Sequence, residues 1–389
     1  MLQVISGFTL TQVPTKAFPN RTSVYSFDFA NEIEVFTSWK NITDTATIKF
    51  PKNIYIYDSS TGKSTSLEGQ NITSGSTGTP FVLRGDQVSI TVGYIADSNA
   101  APVTNVIFNG YVAEINNKMP IELKCEDNMF ALKQLQATGS TNGIYNDPAT
   151  AKTMLTDLLS KTNFTVNDNQ MNMSLGSFTI KNESVAQVID RLRKNYKLEC
   201  YFRGNELRAS MIAYYYGDAT NYTLNFQYNV ISDSLEYKRA AETNIAVTAY
   251  SYLEQDDEDS TNLYGDTKTT VQRIEYTAQS QPNSDIEIGE NQVIYFPNTS
   301  MNDLQVCAKA RLNRINVDGW IGKVTTFGLP YIKHGDSVTL VDTVLPERAG
   351  TYMVKSVKTT MSLSGGLRQE VELDMRIDNL SPSEIALGL

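Results

Sequence analysis

Two distant stretches of the chain spell the same three-step pattern, and a chain that writes one β unit twice is constrained to build two like domains. The first copy runs Gly85-Asp86-Gln87-Val88-Ser89-Ile90-Thr91-Val92, then Gly110-Tyr111-Val112, then Ile121-Glu122-Leu123-Lys124-Cys125-Glu126. The second runs Gly335-Asp336-Ser337-Val338-Thr339-Leu340-Val341, then Gly350-Thr351-Tyr352-Met353-Val354, then Val371-Glu372-Leu373-Asp374-Met375-Arg376. Each step reads as a turn followed by a strand that alternates apolar and polar residues, so one face enters a core and the other meets water. Gly-Asp before a β-branched strand is a common hairpin entry. Three matched steps in one order are a stronger signal, and the unequal gaps between them fall in loops, where insertions are tolerated. Gly85, Asp86, Val88, Gly110 and Tyr111 carry the first copy; Gly335, Asp336, Val338, Gly350 and Tyr352 carry the second. Two similar β-barrels side by side in one chain point to a ring-builder rather than a catalyst.

The 389 residues leave room for two or three domains of about 150 residues each. The texture is β over residues 1–138, the first β-barrel domain, with a polar Gly/Ser/Thr-rich loop expected at Ser59 to Thr79 and a short helix pattern at Met129, Leu132 and Leu135. The period changes over 139–218, which reads as an inserted small α+β module. There Asp147-Pro148 looks like a helix start, a capping carboxylate before a proline at the first helical position. Asn182 is expected to cap a second helix with the stripe Val185, Val188, Ile189, Leu192 and Tyr196. A hairpin over 198–203 and 206–211 would turn at Gly204-Asn205. Residues 219–378 return to β as the second β-barrel domain. The acidic run from Glu254 to Asp259 is expected to break it as a solvated loop. A helix with Leu304, Ala308, Arg311, Leu312 and Ile315 on one face is expected to start from Asn302 or Asp303. The tail, 379–389, has no strand pattern and reads as disordered or docked on a neighbour. The fold class is therefore α+β, mainly β.

Charge and chemistry narrow the function. A net charge of −10 disfavours binding to phosphate backbones, so no sequence-specific nucleic acid partner is expected. Nor is stable membrane insertion, because no apolar run approaches the roughly 18 residues a span requires. The N-terminus moves at once into strand-like alternation, which argues against a secretory signal. Cys125, Cys200 and Cys307 have no metal-ligand spacing and read as small buried hydrophobes. The single histidine, His334, stands beside Gly335-Asp336 without a nucleophile elbow or a reactive-cysteine context, and reads as a turn residue. Neither a phosphate loop nor a dinucleotide-binding turn is present. Glu122, Glu126, Glu372 and Asp374 alternate with apolar residues, the pattern of a polar strand face. Arg84-Gly85-Asp86 spells an adhesion tripeptide but coincides with the repeat's turn. No catalytic residue, cofactor or metal site is expected.

The order of blocks resembles the baseplate hub proteins of contractile phage tails, with the hub half of the type VI secretion spike as a related case. The resemblance is carried by Phe108 to Val112 with Leu123 to Asp127, by Asn229 to Tyr237, and by Gly319-Trp320-Ile321-Gly322-Lys323-Val324-Thr325-Thr326-Phe327-Gly328 leading into Gly335-Asp336. It continues through Gly350 to Val354 and Gly365 to Glu370, and covers about residues 80 to 376. It implies a homotrimer in which each subunit gives two tube barrels, so that three subunits present a pseudo-sixfold ring. The ring would join the tail tube, or a distal tail protein, to a threefold spike protein, in a virion baseplate assembled in the bacterial cytoplasm. The chain ends without an appended needle, so the spike is expected to be a separate protein, and a hub of a non-contractile tail stays open. An acidic inner wall is expected to repel what slides past it. The alternative from another class is a virion-associated cell-wall hydrolase or glycan-binding tail protein, which would need two carboxylates roughly 5 to 10 Å apart across a cleft.

Overall fold

The computed structural model describes residues 3–378 apart from 52, 60, 69–79, 97–100, 117–119, 139–142, 168–173, 211–218, 241–243, 262–266, 282–287 and 317. The first block holds β1 (Gln3–Thr11), β2 (Val24–Phe27), β3 (Glu32–Ser38), β4 (Thr45–Phe50), β5 (Asn53–Asp58), β6 (Lys63–Glu68), β7 (Gln87–Ile95), β8 (Val103–Asn116) and β9 (Ile121–Glu126). The middle holds α1 (Met129–Gln134), β10 (Ile144–Thr150), α2 (Ala151–Leu159), β11 (Thr165–Asn167), β12 (Ser174–Thr179), α3 (Val185–Tyr196), β13 (Glu199–Arg203) and β14 (Glu206–Ser210). The last holds β15 (Asn221–Asn225), β16 (Val230–Lys238), β17 (Ile245–Thr261), β18 (Thr267–Gln279), β19 (Glu290–Tyr295), α4 (Met301–Ile315), β20 (Gly319–Phe327), β21 (Ser337–Val341), β22 (Gly350–Ser362) and β23 (Gly366–Arg376).

Two arrays of six strands share one topology. In the first block the order across the sheet is β1-β7-β8-β9-β4-β3; in the last it is β15-β21-β22-β23-β20-β16. Strands at equivalent places in the two arrays also hold the same rank in chain order among the six. One pairing differs in sense: β1 lies antiparallel to β7, whereas β15 lies parallel to β21. The arrays are not separate barrels. β3 pairs antiparallel with the second half of β22, from Ser356↔Ser38 to Ser362↔Glu32, so one 15-stranded sheet runs through both. Among the described residues the pairing closes neither array into a ring, so the two expected barrels are seen as two open arrays that share an edge.

Period-two alternation builds the cores. Ile33 and Val35 on β3, Ile48 and Phe50 on β4, and Ile121 and Leu123 on β9 are buried, with Phe8, Leu10, Ile90 and Val112 packed on them. Val324, Val338, Leu340, Val354, Val371 and Leu373 do the same for the second array. Met361 and Leu367 of the second array lie in the first array's core, so apolar burial crosses the joint. The middle block packs α1, α2 and α3 around its own core of Leu155, Val188, Ile189, Leu192 and Leu207. A further layer sets α4 on the sheet of β17, β18 and β19 through Leu304, Ala308, Val247 and Phe296.

Local signals misplaced several boundaries. Asp147-Pro148 lies inside β10, at a register break between Tyr145 and Ala149 where a residue without an N–H is tolerated; Thr150 caps α2 instead, in a capping box with Thr153. Asn182 adopts a left-handed φ of 51°, and Ser184 caps α3 with Gln187 closing the box, a Ser-x-x-Gln signature that was there to be read. Ser300 caps α4 through the Asp303 amide. The hairpin turns at Gly204 with a φ of 63°, and Met211 lies outside the described residues. The acidic run is strand: Glu254, Gln255, Asp256 and Asp257 face Val271, Thr270, Thr269 and Lys268. The polar segment after Ser59 is likewise part strand, with β6 paired to β5, while 69–79 lie outside the described residues, as does the tail 379–389.

Candidate functional site

The two Gly-Asp turns are wired alike. Gly85 has a φ of 94° and Gly335 a φ of 80°, a backbone region that only glycine enters without strain. The Gly85 amide donates to the Val112 carbonyl, the Val112 amide to the Asp86 carbonyl, and the Asp86 amide to the Leu83 carbonyl. The second turn repeats all three bonds with Gly335, Val354, Asp336 and Lys333. Both aspartates are buried at 1% exposure, and both carboxylates accept the amide three residues back, from Leu83 at 2.7 Å and from Lys333 at 2.9 Å. Each also accepts one amide beside its array's first strand, Val13 at 3.0 Å or Thr220 at 3.3 Å. Each takes a guanidinium as well. Arg21 grips Asp86 with two bonds, at 2.9 and 2.5 Å, while Arg203 of the inserted module reaches Asp336 at 2.9 Å.

This wiring corrects the alignment of the second step. Val112 is equivalent to Val354, so Gly110, opposite Val88, matches Tyr352, opposite Val338; Gly350 matches Phe108 rather than Gly110. In both arrays one ring lies over one glycine two residues away on the same strand. A Cβ on Gly110 would come within 2.8 Å of the Phe108 ring, and one on Gly350 within 3.0 Å of the Tyr352 ring. The pair is written in opposite order, which hid the match. Tyr111, by contrast, stacks on Phe130 of α1 at 5.5 Å.

The outward faces form a mixed-charge ladder. Lys49 pairs with Glu32 at 2.8 Å, Lys124 with Glu114 at 3.1 Å and Lys133 with Glu126 at 2.7 Å on the first array. Lys323 pairs with Glu370 at 2.7 Å and Lys355 with Glu372 on the second, and Lys358 reaches Glu34 at 3.0 Å across the joint. The paired charges leave this face near neutral.

A dense group of buried titratable side chains sits where the arrays and the module meet. Asp44, Asp127, His334, Tyr331 and Arg203 line a cavity of about 190 Å3. Burial pushes the Asp127 carboxyl up to about 7 and also raises that of Asp44, whose neighbour Asp127 adds to the shift. Burial lowers His334 to about 3, helped by Arg203, Arg208 and Lys333. With its imidazole neutral, the 3.9 Å approach of His334 Nδ1 to Asp44 is not an ion pair. Asp44 accepts the Ser38 amide and Asp127 the Met129 amide, so both carboxyls serve turns. His334 sits edge-on to Tyr201 at 5.0 Å. The three cysteines are buried with thiols pushed up to about 12 by burial, and are free. Among the described residues, no group of His, Cys, Asp or Glu side chains is placed to hold a metal ion.

Sequence reasoning missed Arg21 and Arg203. They stand 65 and 133 residues from the carboxylates they hold, and nothing local marks them. It also missed the long edge of β16, whose residues are mostly exposed.

No family model and no curated protein matches the sequence. Solved structures do. A tail protein of Neisseria meningitidis superposes with a TM-score of 0.59 over 98% of this chain and 98% of that one, at 11% identity. The 43 kDa tail protein of a Shewanella oneidensis prophage gives 0.55 over 94% and 97%, at 11% identity. A type VI secretion system component of Escherichia coli, described as similar to two bacteriophage T4 tail proteins, gives 0.50 over 97% and 77%, at 10% identity. The chain has the fold of these phage tail and secretion-system proteins along nearly its whole length.

Proposed function

We propose that the chain is a structural hub in the tail baseplate of a phage or a related injection machine. Three copies would set six like arrays in a pseudo-sixfold ring, matching the tail tube on one side and a threefold spike protein on the other. The observation that carries this reading is the duplication itself: one chain holds the same six-strand order twice, with the same turn chemistry, already joined edge to edge. Three times two makes six, which is what a threefold part needs in order to meet a sixfold one. The charged face suits the bore. Paired lysines and glutamates keep it hydrated while leaving little net field to hold a passing chain of either sign. The boundaries read from the sequence, 1–138, 139–218 and 219–378, give the two tube domains and the module between them.

The test is microscopy of tail particles from cells that express the complete tail gene set with an epitope-tagged version of this chain. A label at the spike-bearing end of the tube, with three copies per particle, is the expected result. A label along the tube, or particles that lack the chain, would sink the hub assignment.

A further inference from the structure

We infer that copies of this chain join head to tail by strand addition, the outer edge of β16 pairing antiparallel with the edge of β8 beyond Val112 in a second copy. The inference rests on the ring reading and gives it an interface. Its template is inside the molecule. β22 outruns β21: the pairing covers Gly350 to Met353, the Gly335-Asp336 turn takes up Val354, and from Ser356 onward the same edge is occupied by β3. β8 outruns β7 in the same way. That pairing ends at Gln87↔Tyr111, the Gly85-Asp86 turn takes up Val112, and among the described residues no strand pairs with that edge through Ile115.

The matching donor is on the page as well. β3 and β16 hold the same end position of their arrays, yet β3 is paired on both sides and, among the described residues, β16 pairs with β20 alone. A nine-residue strand whose outer edge no other described strand takes up is an invitation to strand addition unless something covers it. The intrachain joint then fixes the register. Val112 matches Val354, so Glu114 and Ile115 match Ser356 and Val357. Along the chain of pairings, Ile33 opposite Ile48 and Leu123 matches Asp233 opposite Val324 and Val371. Thr37 and Ser38 therefore match Tyr237 and Lys238. Copying Ser356↔Ser38 and Val357↔Thr37 to the new joint sets Glu114 opposite Lys238 and Ile115 opposite Tyr237.

Both placements are complementary. An exposed carboxylate meets an exposed ammonium on the polar face, and a partly buried isoleucine meets a tyrosine that is 42% exposed in the single chain. The contact uses different surfaces on the two copies, so it is heterologous and must either close into a ring or run on as a fibre.

Cysteine cross-linking tests it, because the three native thiols are buried. Chains carrying Glu114→Cys and Lys238→Cys should form disulfide-linked multimers on oxidation, ending at a closed three-copy species. Chains carrying Glu114→Cys and Ser232→Cys should not. Independently, Lys238→Glu should weaken association by about fivefold, and adding Glu114→Lys should restore it. Both sites are exposed, so circular dichroism should match the parent chain. Three-copy rings in solution that fail to cross-link at 114 and 238 would overturn this joint and leave the ring reading standing. Chains that stay single at every concentration and never cross-link would overturn the joint, while the tagged particles decide the hub separately.

Discussion

The two Gly-Asp turns share a backbone and differ in what closes them. In the first, Arg21 comes from the same array, and both side chains of the ion pair are 1% exposed. In the second, Arg203 comes from the inserted module and is 20% exposed, against 2% for Asp336. The residue before the glycine follows suit. Arg84 is exposed beside Phe130, whereas His334 is buried against Tyr201 of the module. The first turn is a self-contained piece of its array; the second is a clamp through which the module is fastened to the other array. A duplicated fold can thus keep one geometry and still give one copy a new attachment, provided that the central carboxylate keeps its amides.

The largest expected effect separates the two ion pairs. Asp86→Ala leaves Arg21 buried without its counter-ion and should cost about 3–5 kcal/mol. Asp336→Ala leaves an arginine that still reaches water and should cost only about 1.5–3 kcal/mol. Chemical denaturation of the two variants measures this, and equal losses would break the comparison.

The swapped ring and glycine give the next contrast. A Cβ on Gly110 would stand 2.1 Å from the Glu126 carbonyl, which is backbone and held in the sheet. One on Gly350 would meet mainly the Tyr352 ring and the Arg376 side chain, at 3.0 and 3.1 Å. Gly110→Ala should therefore destabilise by about 1–3 kcal/mol and Gly350→Ala by less. Thermal melts of both variants decide the order.

The last contrast is one of pH. His334 is neutral in the folded chain down to about pH 3, while the unfolded imidazole takes up a proton near its ordinary value of 6.5. Its contribution to stability is present above about pH 6.5 and is lost as pH falls toward 3, by about 1.4 kcal/mol per unit. Asp127 acts in the opposite sense, because a carboxyl raised to about 7 favours the folded state below pH 4 and loses that contribution as pH rises. Between pH 6 and 4 the two contributions oppose each other, so a His334→Asn variant should gain stability relative to the parent chain as pH falls through that window. An unchanged slope would mean that the module does not seal the second turn.

The sequence by itself determined most of the strands, the helical stripes and the duplication. Strand alternation such as Ile121-Glu122-Leu123-Lys124-Cys125 leaves one register that buries its apolar face, and the stripe from Val185 to Tyr196 fits only a helix. These are local periodicities, set by backbone geometry. Helix starts were also legible in principle, since Ser184 and Ser300 stand where capping hydroxyls belong. Only the tertiary structure decided the rest. That Val112 answers to Val354, that Arg21 and Arg203 close the turns, and that β3 crosses to β22 all depend on contacts between residues far apart in the chain. A buried carboxylate needs a cation but does not specify where along the chain it comes from. A strand's open edge likewise accepts any backbone that presents the right row of amides and carbonyls, so alternation reveals the strand and cannot reveal its neighbour.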